Sequence, residues 1–118
     1  MRGRLALAAV LALGGVAVPP GHAATRSPVT VRFGEFFFRP ATVTVHVGQA
    51  VRFVNVGKIQ HTVADTSAGW TTVRSRLIVP RPLADGQAQV VRFTRPGTVW
   101  YLCTFHPTLM RGKVVVVP

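Results

Sequence analysis

A chain of 118 residues has room for one domain and is too short for two. Apolar residues make up 48% of it and charged residues 14%, which excludes a disordered chain that lacks core-forming material. The formal net charge of +11 would suit a nucleic-acid ligand. We expect no nucleic-acid binding, because the arginines are scattered, mostly as single residues, and no RNA-binding aromatic signature accompanies them.

Residues 1–23 have the organisation of a secretory signal peptide. Arg2 and Arg4 form a basic start, an uncharged apolar run of 14 residues follows from residue 5 to residue 18, and small residues precede a cleavage point after Ala23 or, as second choice, after Ala24. The alternative is a membrane anchor, but the run is shorter than the ~20 residues that a spanning helix needs. We therefore expect an exported protein, in the periplasm, the cell envelope or the medium, that is not stably inserted in a membrane once the signal is cleaved.

The remaining residues, 24–118, are expected to form one monomeric domain. Twelve of their residues are basic and three are acidic, a net charge of +9. A protein partner with an acidic docking surface would be steered toward such a chain. Attraction to an anionic cell envelope is the alternative.

Short runs with alternating hydrophobicity, separated by turn residues, predict β-strands along this domain. The runs cover residues 29–33, 42–47, 50–56, 87–94, 98–103 and 112–117. The last run is almost continuously apolar, which predicts a strand buried on both faces or at the centre of the core. Between residues 64 and 86 the alternation lapses into loop residues, with residues 76–79 as a candidate short strand. No 3.6-residue period is sustained, so the pattern indicates an all-β sandwich without a long helix.

The chain contains a single cysteine, Cys103. Exported proteins use cysteines in pairs because their compartment is oxidising. A lone thiol in such a protein is an accident, an intermolecular link or a group that something else occupies. A metal ion would occupy it.

Three metal-binding side chains stand within eight residues of one another: Cys103, His106 and Met110. Thiolate, thioether and imidazole together suit copper, whereas zinc would prefer another donor to Met110 and an iron–sulfur cluster needs several cysteines. A blue-copper site requires a second imidazole. His61 can supply it, because it follows a strand and a loop that would reach the same end of the sandwich as Cys103.

At these residues the chain resembles the small cupredoxins, the family of plastocyanin, pseudoazurin and above all amicyanin. The resemblance covers essentially the whole mature chain. It rests on Val43-x-Val45-x-Val47-Gly48, Val54-Asn55, His61-Thr62-Val63, Pro96-Gly97-Thr98, Tyr101-x-Cys103-x-x-His106-Pro107 and Met110-Arg111-Gly112-Lys113-Val114-Val115-Val116. One departure concerns the axial contact. Amicyanin-type loops place two residues between histidine and methionine and this chain places three, whereas azurin-type loops also place three but lengthen the gap between cysteine and histidine.

The resemblance implies a cupredoxin-like Greek-key β-sandwich of about seven to eight strands that binds one type 1 copper ion. It implies that the Cys103 thiolate makes the short bond responsible for the blue colour and that His61 and His106 complete a trigonal set. Met110 would be the weak axial ligand that tunes the potential.

The resemblance also implies two supporting features around the ligands. Asn55 would tie the histidine loop to the cysteine loop by hydrogen bonding with Thr104, which holds the ligands in place. His106 would reach the surface through an apolar docking patch formed by Pro107, Leu109 and Phe105.

The sequence leaves three candidate functions. The first is a one-electron carrier between redox partner proteins, which is not an enzyme. The second is a protein for copper delivery or storage, although such proteins usually expose several methionines or histidines and this chain has only Met1 and Met110. The third is a copper oxidase or reductase, which would need further copper ions and a substrate site that His46 alone cannot build.

Overall fold

The computed structural model describes residues 26–118, so the predicted signal peptide lies outside the described part. The described residues form eight β-strands and one short 3-10 helix (Ala68–Trp70). No helix among them combines the length and the apolar character that a membrane crossing requires. The strands are β1 (Val29–Gly34), β2 (Phe37–Arg39), β3 (Thr42–His46), β4 (Ala50–Asn55), β5 (Ala64–Thr66), β6 (Ala88–Arg92), β7 (Gly97–Leu102) and β8 (Arg111–Val117).

The strands make two four-stranded sheets, in the orders β2-β1-β4-β6 and β3-β8-β7-β5. The pairs β1–β4 and β3–β8 are parallel, and the other pairs are antiparallel. Because β1 and β4 are parallel, the loops that follow them leave the same edge of the first sheet, with Phe33 beside Asn55. This all-β, two-sheet architecture confirms the fold class expected from the alternating runs.

Inward-facing residues of both sheets form one core. Along β1, Val31 and Phe33 are buried whereas Arg32 between them is exposed, which is the alternation that a half-buried strand shows. Tyr101 from β7 reaches across to the first sheet, and its ring packs edge-on against Phe38 at 4.9 Å and Phe53 at 5.2 Å between centroids. The sheets are thus joined by aromatic contacts close to the end of β7.

The last strand differs in part from the sequence-based expectation. β8 lies between β3 and β7 inside its sheet, but its residues alternate between buried and half-buried, so only one of its faces is fully covered. The apolar residues on the other face are only half covered, and Lys113 there lies over the Trp100 ring at 4.8 Å. The apolar run therefore marks a central strand and not one that is buried on both sides.

Between residues 64 and 86 the structure contains one strand that the sequence did not predict and lacks one that it suggested. Residues 64–66 form β5, and residues 76–79 are not a strand. The buried Asp65 carboxylate accepts hydrogen bonds from the backbone N–H groups of Leu77 and Ile78, both at 2.8 Å. A side chain therefore satisfies these donors in place of a neighbouring strand.

Gly112 is required by the packing of Tyr101, which faces it across β7 and β8. A Cβ at position 112 would collide with the Tyr101 ring and hydroxyl. We expect Gly112→Ala to lower the free energy of unfolding by about 1–3 kcal/mol through overpacking, measured by urea denaturation. In a double-mutant cycle with Tyr101→Leu the two losses should not add, because the smaller side chain makes room for the methyl group. Additive losses would contradict this steric explanation.

Candidate metal centre

Three of the predicted ligands converge at one end of the sandwich. The donor atoms of His61, Cys103 and His106 all lie within 4.8 Å of one another. The Nδ1 atoms of His61 and His106 are 3.8 Å and 3.9 Å from the Cys103 Sγ atom. Both imidazoles therefore present the same ring nitrogen to the sulfur, and the three atoms surround a space of the size of a metal ion.

His61 is held by its backbone as well as by its surroundings. Its N–H donates to the Leu83 carbonyl at 3.1 Å and its carbonyl accepts from the Leu83 N–H at 2.8 Å. The side chain is fully buried, and the Phe33 ring packs edge-on against it with 6.0 Å between centroids. These contacts fix the direction in which the imidazole points.

Cys103 and His106 belong to a loop that closes on itself. The Cys103 N–H donates to the Met110 carbonyl at 3.1 Å, and the His106 N–H donates to the Cys103 carbonyl at 3.2 Å. Two N–H groups, those of Leu109 and Met110, donate to the His106 carbonyl at 3.1 Å and 3.0 Å. The three residues between His106 and Met110 are thus accommodated in a hydrogen-bonded turn.

Met110 is fully buried and shares the core cluster with Cys103. This location is consistent with either an axial ligand or a core side chain. Its role as axial ligand stays a prediction.

Thr62 joins the two ligand loops. Its backbone N–H points at the Cys103 Sγ atom at 3.4 Å, and its hydroxyl accepts from the Thr104 N–H at 2.8 Å. The two threonine hydroxyls are also 2.7 Å apart. The sequence pattern indicated Asn55 for this bridging role and not Thr62, which stands next to a predicted ligand in the chain.

The expected hydrogen bond between Asn55 and Thr104 is not among the bonds of residues 26–118. Asn55 is buried and uses its side chain inside the first loop, where its amide nitrogen donates to the carbonyls of Ile59 and Leu83 and its oxygen accepts from the Gly57 N–H. It therefore shapes the loop that carries His61. Its side-chain partners differ from the expected Thr104, and its role in supporting a ligand stays a prediction.

Glu35 is a second residue that sequence reasoning missed. Its carboxylate lies 2.9 Å from Nε2 of His61 and accepts hydrogen bonds from the backbone N–H groups of Lys58 and Ile59 at 2.9–3.1 Å. The N–H groups of Lys58 and Ile59, followed by the His61 ring, lower the pKa of this carboxyl to about 2. The sequence did contain an indication that Glu35 has a specific role, because it is one of only three acidic residues and directly follows β1.

The surface over the centre is apolar. His106 is half-buried, and the Phe36 ring packs against it with 4.5 Å between centroids. Phe105 and Leu109 beside it in the chain are 50% and 64% exposed, and Pro107 is exposed as well. That these residues form a docking patch stays a prediction. Phe36 extends this patch from the turn between β1 and β2 and was not predicted.

The donor set fits copper. Two imidazole nitrogens and one thiolate sulfur form the three-ligand arrangement of blue-copper sites. Two of the three donor residues are buried, as is Met110 nearby. The carboxylate on the far side of His61 acts only as a hydrogen-bond acceptor, so the open nitrogen of that ring faces the sulfur.

Comparison with known proteins agrees with this geometry. The model of a family described as copper binding proteins, plastocyanin/azurin family, matches residues 26–117. Amicyanin-alpha of Methylorubrum extorquens is 32% identical over 111 residues, which cover 94% of this chain and 90% of that protein.

Solved structures of similar fold include a small cupredoxin and part of a larger enzyme. A purple cupredoxin from Nitrosopumilus maritimus superposes with a TM-score of 0.69 at 23% identity, over 75% of this chain and 99% of that one. A Cu-containing nitrite reductase from Thermus scotoductus SA-01 superposes with a TM-score of 0.67 at 28% identity, over 87% of this chain but only 25% of that chain.

The hydroxyl of Thr62 is expected to stabilise the two loops. Thr62→Val keeps the branched shape and the backbone N–H but removes the acceptor that Thr104 uses. We expect a loss of about 1 kcal/mol in the free energy of unfolding, the usual net value of one hydrogen bond, measured by urea denaturation of the metal-free protein. Thr44→Val on the exposed face of β3 is the matched control and should change little. Equal losses of unfolding free energy in both variants would contradict the proposed bridging role of the Thr62 hydroxyl.

Proposed function

We propose that this chain, which belongs to the plastocyanin/azurin family of copper-binding proteins, is an exported carrier that passes single electrons between redox partner proteins. Copper bound at the centre would supply the chemistry, a reversible change between Cu(II) and Cu(I). His61, Cys103 and His106 are the proposed ligands, with Met110 as the axial one.

One observation carries the proposal. A cysteine sulfur and two imidazole nitrogens lie within 4.8 Å of one another at one end of the sandwich. Partners outside the donor set hold two of the three side chains. The backbone of His61 is bonded to that of Leu83, and its ring donates to the Glu35 carboxylate. The Thr62 N–H donates to the sulfur of Cys103. A site that is fixed in this way changes little when its charge changes, so electron transfer requires little rearrangement.

The half-exposed His106 is the proposed route for the electron. Its ring connects the buried sulfur with the apolar surface of Phe36, Phe105 and Leu109. An apolar patch of this kind on a small protein marks an interaction site. A partner that covers it would bring its own redox centre close to this imidazole.

Charge on the first sheet supports a partner with an acidic surface. The structure brings together arginines that appear scattered in the sequence, one from each strand of this sheet. All four are exposed on the outer face of the sheet: Arg32, Arg39, Arg52 and Arg92. Arg32 is the direct partner of Arg39 in the register of β1 and β2. No strand of this sheet contains an acidic residue. β1 and β2 meet at the turn that carries Glu35 and Phe36, so Arg32 and Arg39 are the two of these four arginines that lie on the strands flanking this turn.

Copper delivery remains the second candidate, favoured by the exposed position of His106. The likeness to a nitrite reductase concerns a quarter of that enzyme's chain. It therefore gives no substrate site to this protein, and we propose no enzymatic activity.

The first prediction is spectroscopic. The mature protein with one Cu(II) should show an intense blue thiolate-to-copper band and narrow copper hyperfine splitting in its paramagnetic resonance spectrum. Cys103→Ser should abolish the band and leave the β-sheet circular dichroism unchanged, because the ligand is lost and the core is not. A colourless wild-type protein, or a blue serine variant, would contradict the proposed ligand set.

The second prediction separates electron transfer from copper delivery. A carrier should give a reversible one-electron wave in voltammetry and should retain its copper through repeated cycles in the presence of a Cu(I) chelator. A delivery protein would lose the metal to the chelator in the reduced state. Rapid and complete loss of copper would favour the second candidate.

The third prediction concerns electrostatic steering. We expect Arg32→Gln/Arg39→Gln to slow oxidation of the Cu(I) protein by hexacyanoferrate(III), an anion, several-fold at low ionic strength, because long-range attraction raises the association rate. The effect should fade as salt is added. The control is the double variant Arg92→Gln/Arg95→Gln, which removes the same amount of charge. Arg92 lies at the far end of the first sheet and Arg95 in the turn before β7. Equal slowing by both pairs would indicate net charge and not a local surface.

A further inference from the structure

We propose that Glu35 is a positioning residue of the copper centre. Its carboxylate accepts a hydrogen bond from Nε2 of His61, fixes the tautomer and orientation of that ligand, and lowers the reduction potential of the bound copper. The inference rests on the proposed function, because it assigns a role to a residue that faces one of the proposed ligands. Glu35 lies in the turn between β1 and β2, outside every ligand-bearing loop.

The tautomer follows from what a carboxylate can do. An ionised carboxylate has no proton to donate, so the atom of His61 that lies 2.9 Å from it must carry the hydrogen. In the neutral ring that a metal requires, Nε2 is therefore the N–H and the lone pair resides on Nδ1. That is the nitrogen that faces the Cys103 Sγ atom at 3.8 Å. The carboxylate thus leaves the correct nitrogen free for the metal.

The carboxylate is itself held firmly. It accepts hydrogen bonds from the backbone N–H groups of Lys58 and Ile59 in addition to the one from the His61 ring. Its two oxygens therefore bind one turn of the loop that leads to His61. Its side chain is 29% exposed, whereas the imidazole is fully covered. The negative charge is therefore fixed at the edge of the site, on the side of His61 that is remote from the sulfur.

Gly57 provides independent support. A Cβ at this position would collide with the Glu35 carboxylate and would lie 2.8 Å from the Gly34 Cα atom. Gly57 is buried, and its N–H is bound to Asn55. The absent side chain at 57 makes the space that the carboxylate occupies.

The negative charge of Glu35 affects the reduction potential of the bound copper in one direction. A carboxylate that accepts from a metal-bound histidine makes that ring a stronger donor. A negative charge also favours Cu(II) over Cu(I), because the oxidised ion carries more positive charge. Both effects lower the reduction potential.

The experiment compares Glu35→Gln and Glu35→Ala with Asp85→Asn. Glutamine retains an oxygen that can accept from Nε2 but removes the charge, and alanine removes both. Asp85→Asn removes an equal charge from an exposed turn. We expect the reduction potential to rise in both Glu35 variants, more in Glu35→Ala, and to change less in Asp85→Asn. The copper affinity of Glu35→Ala should fall by about 10-fold to 100-fold, the usual cost of losing such a partner.

The proton on the ring gives a second readout that needs no copper. In nitrogen-15 NMR of the metal-free protein, Nε2 of His61 should carry a slowly exchanging proton in the wild type and in Glu35→Gln, and a fast exchanging one in Glu35→Ala. Gly57→Ala should reproduce the alanine result by displacing the carboxylate. Unchanged potentials together with lower stability in all variants would reduce Glu35 to a structural role. A wild-type ring protonated at Nδ1 would overturn the proposal.

These outcomes distinguish the two proposals. If the wild-type protein forms no blue site, the electron carrier fails, whereas the NMR measurement still decides whether Glu35 sets the His61 tautomer. If the blue site forms and the Glu35 variants match Asp85→Asn in potential, the carrier stands and the role of Glu35 fails.

Discussion

The whole centre depends on one close approach, between the backbone N–H of Thr62 and the sulfur of Cys103 at 3.4 Å. The first group lies on the connection between the two sheets, and the second follows the last residue of β7. Because β-sheets hold their strand ends in register, neither group can move far without breaking pairs behind it. The distance between the sulfur and the His61 imidazole is therefore set mainly by the sandwich.

This arrangement explains how a small protein can keep three metal-binding side chains close together. Each ligand is supported by a partner that is not itself a ligand, and most of these partners are backbone groups. Backbone partners do not have alternative rotamers, so they hold a geometry with little loss of side-chain entropy. The half-exposed ring of His106 is the exception. It is held through its own loop and against Phe36, and it is also the ligand proposed to meet other proteins.

The sequence was sufficient for the fold class and for most strands because period-two alternation reports directly on one buried face. It was also sufficient to bring His61 together with Cys103 and His106. It failed at β2 and β5, whose three residues are too few to show alternation, and at residues 76–79, where Asp65 replaces a strand partner. It missed Thr62 and Glu35 because hydrogen bonds between distant segments leave no periodic trace.

The contact between positions 35 and 57 also has an evolutionary consequence. The carboxylate occupies the volume that any side chain at Gly57 would need, so the two positions are not free to change independently. A lineage that acquires a side chain at 57 must first lose or redirect the acid at 35 and must find another acceptor for the His61 ring. Across homologues, glutamate at the first position should therefore occur only together with glycine at the second.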